Sequence, residues 1–409
     1  MKRPSPLLLA QIAVGLACVL VLRTKWHTTR DFVLAIDHGD LLFADFVHHY
    51  YPTVTDGLRH GAPAGGFFYP AGFAALLSPL ALVGAGAAKV LWGLLQLVCL
   101  VYAGTTLVSA AVPRRPLLAL VGTALTMTSI PILHNLKWGQ VSLPILAAVG
   151  AACVQYAHGR RNLPAALLAI AAGIKGYPLA FLGTYVARRD VSFVARAAVA
   201  CFVTLVVWPA IVMGPTHALF FQRVSTNAVM GAADGVLKDF NSQYAPAVLG
   251  RYQGGWDAMA VDVRAMGELG CIVALLAIAG LVWVVARSRV ARLAERRDLL
   301  CFVLIACSIP FWLRTSWSHY FVHLPLAQVL LAGMLAERRR ARDVLVLVVL
   351  VAPSVFLSNV VGLFASEGWW YFANAGSLFF ANMLVLLAST YVVVDAGSEA
   401  YKTSAPAVP

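Results

Sequence analysis

Five short polar stretches hold most of the side chains in this chain that could do chemistry in water: residues 45–51 continuing to 67–72, then 134–140, 174–178, 239–252 and 314–323. Asp45 opens a stretch with helical spacing, so one reading is a carboxylate capping a helix start. Phe43, Phe46, Tyr50 and Tyr51 flank it, and aromatic surroundings raise a carboxyl pKa towards the range of a general base, which is the second reading. Asp37 and Asp40 compete for either role from a more open segment. His48 and His49 are adjacent, diverge on a helix and make a poor chelate. His319 and His323 are four residues apart and could reach one metal, but Tyr320 stands where a zinc-protease motif has glutamate. No metal or other cofactor is therefore expected, and hydrogen bonding to an anion suits these histidines better. Arg314, beside Trp317, His319 and Tyr320, reads either as an interfacial anchor or as a phosphate ligand. Lys175 lies inside an apolar run, and a lysine facing lipid costs about 3 kcal/mol. It is either snorkelling from a helix end or part of a functional site. Cations suit a phosphate and aromatics suit a sugar ring.

The elements that must position these groups are apolar. The 409 residues are 60% hydrophobic and 12% charged, against about 25% charged in soluble domains. Repeated apolar runs of about 17–25 residues imply an all-α polytopic membrane protein of about 12 transmembrane helices. The net charge of +13 does not point to nucleic acid, because the arginines crowd into short loops as the positive-inside rule expects. The seven cysteines lie in apolar runs with no C-x-x-C spacing and read as core or lipid-facing residues. The N-terminal 22 residues resemble a signal peptide but offer no convincing cleavage site, so they read as a retained span.

Spans are expected near residues 5–22, 87–112, 117–133, 140–157, 191–213, 263–286, 298–313, 320–336, 343–363 and 370–394. Residues 69–83 are apolar but short, and either cross or lie in the interface. Residues 164–185 would pass as one span, yet Arg160 and Arg161 before it and Arg188 and Arg189 after it both ask for the cytoplasmic side. A hairpin of two short helices satisfies both, with its tip at Gly173-Ile-Lys-Gly-Tyr-Pro178. Both termini then face the cytoplasm, and loops 23–68 and 214–262 face outward. All five polar stretches fall on that external side of a cell membrane. Residues 1–395 form one transmembrane catalytic domain, and 396–409 a disordered cytoplasmic tail.

In this order the stretches resemble glycosyltransferase family 87 (DUF2029) of the GT-C superfamily. The features that carry the resemblance are Asp45 followed by Tyr50-Tyr51, Gly61 and Phe68-Tyr-Pro70 with Ser78-Pro-Leu80; Trp138-Gly-Gln-Val141; Ile174-Lys-Gly-Tyr-Pro178; Asn241-Ser242; and Ser316-Trp-Ser-His-Tyr320. They cover roughly residues 40–325, and Ala71 stands where the family commonly has a second proline. The resemblance implies a GT-C-type bundle with external juxtamembrane helices. It also implies inverting transfer of a sugar, mannose or else arabinofuranose, from a polyprenyl-phosphate donor to a hydroxyl of a glycolipid or glycan acceptor. Asp45 occupies the position of the catalytic base, and His319 that of a late histidine contacting the donor. Lys175, Arg314 and His319 are then expected to hold the donor phosphate. Asp40, His49, Tyr69, Asn135, Gln140, Asn241, Trp317 and Tyr320 are expected to line the sugar and acceptor sites. A flippase of lipid-linked sugar would instead show an inverted repeat, and none is visible. A non-catalytic envelope scaffold would tolerate substitution at Asp45 and His319.

Overall fold

The computed structural model describes residues 5–24, 42–338, 340–360 and 369–404 of the protein. Asp37, Asp40 and most of the first expected external loop lie outside these residues. Among the described residues the chain is helical, with no strand, and all seven cysteines are free. Among the described residues six helices are long and apolar enough to cross a bilayer: Ala85–Ala111, Val191–Met213, Val261–Arg287, Ser318–Ala336, Ala341–Val360 and Ser377–Ser398. Pro116–Thr128 and Ile130–Trp138, bent by 43° at Ser129, would make a seventh. The helices of spanning length among the described residues do not confirm the expected count of about 12. Ser142–Ala157 and Asn162–Ile174 are apolar but shorter than a bilayer needs, whereas the first helix, Pro6–Thr24, has 19 residues, within spanning range.

The segment with arginines at both ends folds as a hairpin. Asn162–Ile174 has 13 residues, a rise of about 20 Å, too little to cross. Lys175 is extended (φ −148°, ψ 142°) and stops the helix. A 3-10 turn, Tyr177–Phe181, and a short helix, Leu182–Ala187, bring the chain back. Its two feet meet: Arg161 Nε lies 3.5 Å from Asp190, which caps the next helix by accepting from Phe193 N at 3.0 Å. Arg188 pairs with Asp298 at 2.6 Å. Ala71–Leu77 packs on this hairpin through glycine. A Cβ on Gly72 would meet Thr204 O at 2.9 Å and Gly173 O at 3.2 Å.

The hairpin's feet belong to an end of the bundle that collects ion pairs. Arg296 pairs with Glu337, and Asp395 is shared by Arg338, Arg340 and Arg342. Within the bundle, Gln328 donates to Ser354 and Ser358, each at 2.9 Å, tying two spans together by side-chain hydrogen bonds that lipid cannot replace.

Two expectations change. Region 214–262 is not an open loop, because most of it is the helices Pro215–Lys238 and Ala245–Arg251. Pro215–Lys238 buries Ala218, Phe221, Ser225 and Val236 while leaving Leu219, Phe220 and Met230 exposed, so it lies over the end of the bundle away from the ion pairs. Of the tail 396–409 expected to be disordered, residues up to Ser404 are helical, and 405–409 lie outside the described residues.

Candidate active site

The site is built on the turn that follows Ile130–Trp138. Gly139 has φ +66°, and a Cβ there would meet Phe43 Cα at 2.9 Å, so only glycine fits. Three side chains hold this turn. Trp92 Nε1 donates to Gly139 O at 3.0 Å, and Gln96 Nε2 donates to Gln140 O at 2.8 Å. Asn135 donates to Gln96 Oε1 at 3.0 Å and accepts from Leu143 N at 3.1 Å. The side chain of Gln140 therefore starts from a fixed backbone.

Its amide joins a chain of polar groups under an aromatic cluster. Tyr50 packs edge-on against Tyr69, Phe73 and Trp92, with ring centroids 5.1–5.7 Å apart. The Tyr50 and Tyr69 hydroxyls are 2.5 Å apart, Tyr69 donates to Gln140 Oε1 at 2.9 Å, and Gln140 Nε2 donates to Asp45 Oδ2. Burial holds both phenols well above their usual range, so they remain donors. Burial also pushes the Asp45 carboxyl up to about 6, against the opposing pull of His49, Lys175 and His48.

Asp45 lies where two cavities meet. The larger, about 480 Å³, is lined by Tyr69, Lys175, Tyr177 and Tyr320 on one side. Val229, Met230 and Val236 of Pro215–Lys238, with Trp312 and Leu313, form apolar walls on the other. Lys175 Nζ sits 4.9 Å from the Tyr69 ring centroid and 4.3 Å from that of Tyr320, two cation–π contacts that hold the ammonium inside. The smaller cavity, about 200 Å³, is lined by His134, Trp138, Asp239, Asn241 and His319. Both cavities include Asp45, Gln140 and Trp317. His319 is 2% exposed and stacks on His134 at 5.8 Å. Among the described residues neither ring nitrogen of His319 has a hydrogen-bond partner, nor has His134 Nδ1. Orphaned polar atoms at a cavity wall are groups left open for a ligand.

Most of the residues singled out from the sequence are thus brought together: Asp45, His49, Tyr69, Gln140, Lys175, Asn241, Trp317, His319 and Tyr320. His49 lines the larger cavity and is held by Gly65 O, 2.6 Å from its Nδ1. Two residues are not brought in. Asn135 is buried, with its amide spent on the turn, so it supports the site from beneath without facing ligand. Arg314 points outward to Glu268 at 2.8 Å, with about half its side chain exposed. Of the three groups expected on one phosphate, Lys175 lines the larger cavity and His319 the smaller, with the Tyr320 ring against both side chains, while Arg314 lines neither cavity. Asp40 lies outside the described residues.

His134, Trp138, Asp239 and Arg251 were assigned no role from the sequence. The four-residue spacing of His134 and Trp138 on one short helix was a usable signal. Arg251 had none. It donates to Ser242 O at 2.8 Å, Asp239 O at 3.3 Å and Asn374 O at 2.6 Å, clamping the segment that carries Asp239 and Asn241.

A buried carboxylate poised near neutrality, a caged cation on one side and unpartnered imidazoles on the other suit transfer of a group between two bound substrates. No curated protein and no solved structure matches the chain. The sequence profile of glycosyltransferase family 87 matches residues 67–313, which include Tyr69, Gln140, Lys175 and Asn241, with Asp45 and His319 outside the matched range. With that match covering more than half of its length, the chain belongs to glycosyltransferase family 87 and is a membrane glycosyltransferase.

Proposed function

We propose that the protein moves a sugar, mannose in the favoured reading, from a polyprenyl-phosphate donor to a hydroxyl of a glycolipid or glycan acceptor, with inversion and with Asp45 as general base. The observation that carries this is the position of Asp45, shared by two cavities of which only one contains the caged lysine. The apolar walls beside Lys175 suit a lipid phosphate. The unpartnered histidines, with Asp239, Asn241 and Trp317, suit sugar hydroxyls and a ring face.

In this reading the acceptor oxygen attacks C1 of the donor sugar, and its proton passes to Asp45 as the new C1–O bond forms. The bond from C1 to the phosphate oxygen breaks, with its electron pair going to the phosphate. Lys175 stabilises the charge that the departing polyprenyl phosphate gains. His319, placed in the smaller cavity, hydrogen-bonds the sugar. The excess of arginine at the ion-paired end supports a cytoplasmic assignment for that end, and so an active site on the outer face of a cell membrane with both termini inside. The test is transfer from radiolabelled polyprenyl-phosphate mannose into the glycolipid fraction of membranes containing the chain. Asp45→Asn is expected to lower transfer by about 10²–10⁴-fold at unchanged protein level. Wild-type turnover by that variant removes Asp45 as the base.

A further inference from the structure

We infer that Gln140 is a positioning residue for Asp45, its amide locked by Tyr69 so that it donates to one carboxylate oxygen and leaves the other turned to substrate. The inference rests on the reading of Asp45 as the base, and it gives Gln140 and Tyr69 a role other than sugar binding.

The argument runs along one polar chain. An amide can present oxygen or nitrogen to a neighbour, and its partners decide which. Tyr69 is fully buried as a phenol and keeps its proton, so its hydroxyl must donate; the acceptor it finds, at 2.9 Å, is Gln140 Oε1. Tyr50 reaches the same oxygen at 3.5 Å. With Oε1 taken, the nitrogen is left for Asp45 Oδ2. A flip would set the amide oxygen against the carboxylate and the NH₂ against two phenolic donors. The backbone cannot yield either, because Trp92, Gln96 and Asn135 hold residues 139 and 140 from below. Asp45 Oδ1 takes no hydrogen bond among the described residues, so one oxygen is anchored and the other is free to receive a proton. A donor on the carboxylate favours its charged form. Gln140 thus works in the same direction as the cations facing Asp45, so that a buried carboxyl remains largely ionised at neutral pH.

The groups facing Asp45 come from every element around it. His48, His49 and Tyr50 lie on its own helix, and Tyr69 on the following segment. Lys175 is at the hairpin tip, and His134, Asp239 and His319 are across the smaller cavity. Apart from the two phenols that donate to Gln140, none of these loses a partner on substitution at 140, and Tyr69→Phe reads the phenol's share separately.

The test reads Asp45 directly and needs no substrate. Dicyclohexylcarbodiimide adds to protonated carboxyls in apolar sites, and the adduct on the Asp45 peptide is quantified by mass spectrometry. The purified full chain in detergent is labelled across pH 4–9. Labelling in the wild type is expected to fall with a midpoint near pH 6, where Asp45 ionises. Gln140→Leu, which removes the donor, is expected to raise that midpoint by about one pH unit or more. Gln140→Glu, similar in shape but anionic, is expected to raise it further, and Tyr69→Phe to raise it less. Tryptophan-fluorescence melting checks folding, and if the leucine variant melts early the glutamate and phenylalanine variants decide. Unmoved midpoints in the folded variants overturn the inference. Its failure is distinct from that of the proposed function, because Asp45→Asn turning over normally removes the base whatever the labelling shows. An inactive Asp45→Asn with unmoved midpoints removes only the role of Gln140.

Discussion

The pH dependence of transfer is the sharpest consequence of where Asp45 sits. A carboxylate must be ionised to accept a proton, and burial has moved this one from 3.8 to about 6. Activity carried by Asp45 is therefore present above that value and lost as pH falls through it. The fraction ionised is about 0.9 at pH 7 and about 0.09 at pH 5, so kcat/KM is expected to drop about tenfold between them. An aspartate with its ordinary pKa would be about 0.9 ionised at pH 5, and the same comparison would show almost no change. The assay is initial-rate transfer from radiolabelled polyprenyl-phosphate mannose in membranes, at donor well below KM, in buffers of constant ionic strength. Refolding controls are made by returning acid-treated membranes to pH 7. A reversible acidic limb near pH 6, missing from the residual rate of Asp45→Asn, is the expected result. A flat profile from pH 5 to 8 would refute the reasoning, because either Asp45 is not the base or its surroundings do not act on it as described.

Three further outcomes follow from the geometry. Lys175→Gln shortens the side chain by one atom and removes the charge between the Tyr69 and Tyr320 rings. It is expected to lower kcat by about 10²–10³-fold, the usual loss for one charge-stabilising group, with rates measured in the same membranes. Gly139→Ala puts a methyl against Phe43 at a positive φ. Left-handed strain of about 1–2 kcal/mol plus that clash should lower the melting temperature and disturb the Gln140–Asp45 contact, read as a loss of kcat larger than any change in KM. Asp395→Asn removes a carboxylate, 6% exposed, that Arg338, Arg340 and Arg342 share, while Arg340 keeps Asp343 at 2.8 Å. It is expected to lower stability in detergent unfolding, by less than the roughly 3–5 kcal/mol of a fully broken buried pair, while leaving the pH midpoint of Asp45 labelling unmoved.

Much of this was legible in the sequence, and the exceptions have physical causes. The span at 191–213 was read to the residue, because an apolar run bounded by Asp190 and Gly214 leaves little choice of ends. The hairpin followed from arginines at both ends and a Gly/Pro-broken middle. The long loop at 214–262 was misread because its polar residues were counted without their spacing. Ala218, Phe221 and Ser225 recur at intervals of three and four and mark one buried helix face. Asn135 and Arg314 show a different limit. Position on a polar tip says that a side chain is near the site, not which way it points, and each found a nearer partner in Gln96 or Glu268. The clamp by Arg251 was invisible, since its partners are backbone carbonyls set by tertiary structure.

The hairpin makes the molecule a lever as well as a container. Its two legs stand on Arg161–Asp190 and Arg188–Asp298, while its summit carries Lys175, about 20 Å away along a helix of 13 residues. Glycine at 72 and 173 lets a neighbour lie flush against the upright. Loosening Arg161–Asp190 or Arg188–Asp298, the pairs under the hairpin itself, should therefore shift Lys175 and detune the chemistry, with no contact to either substrate.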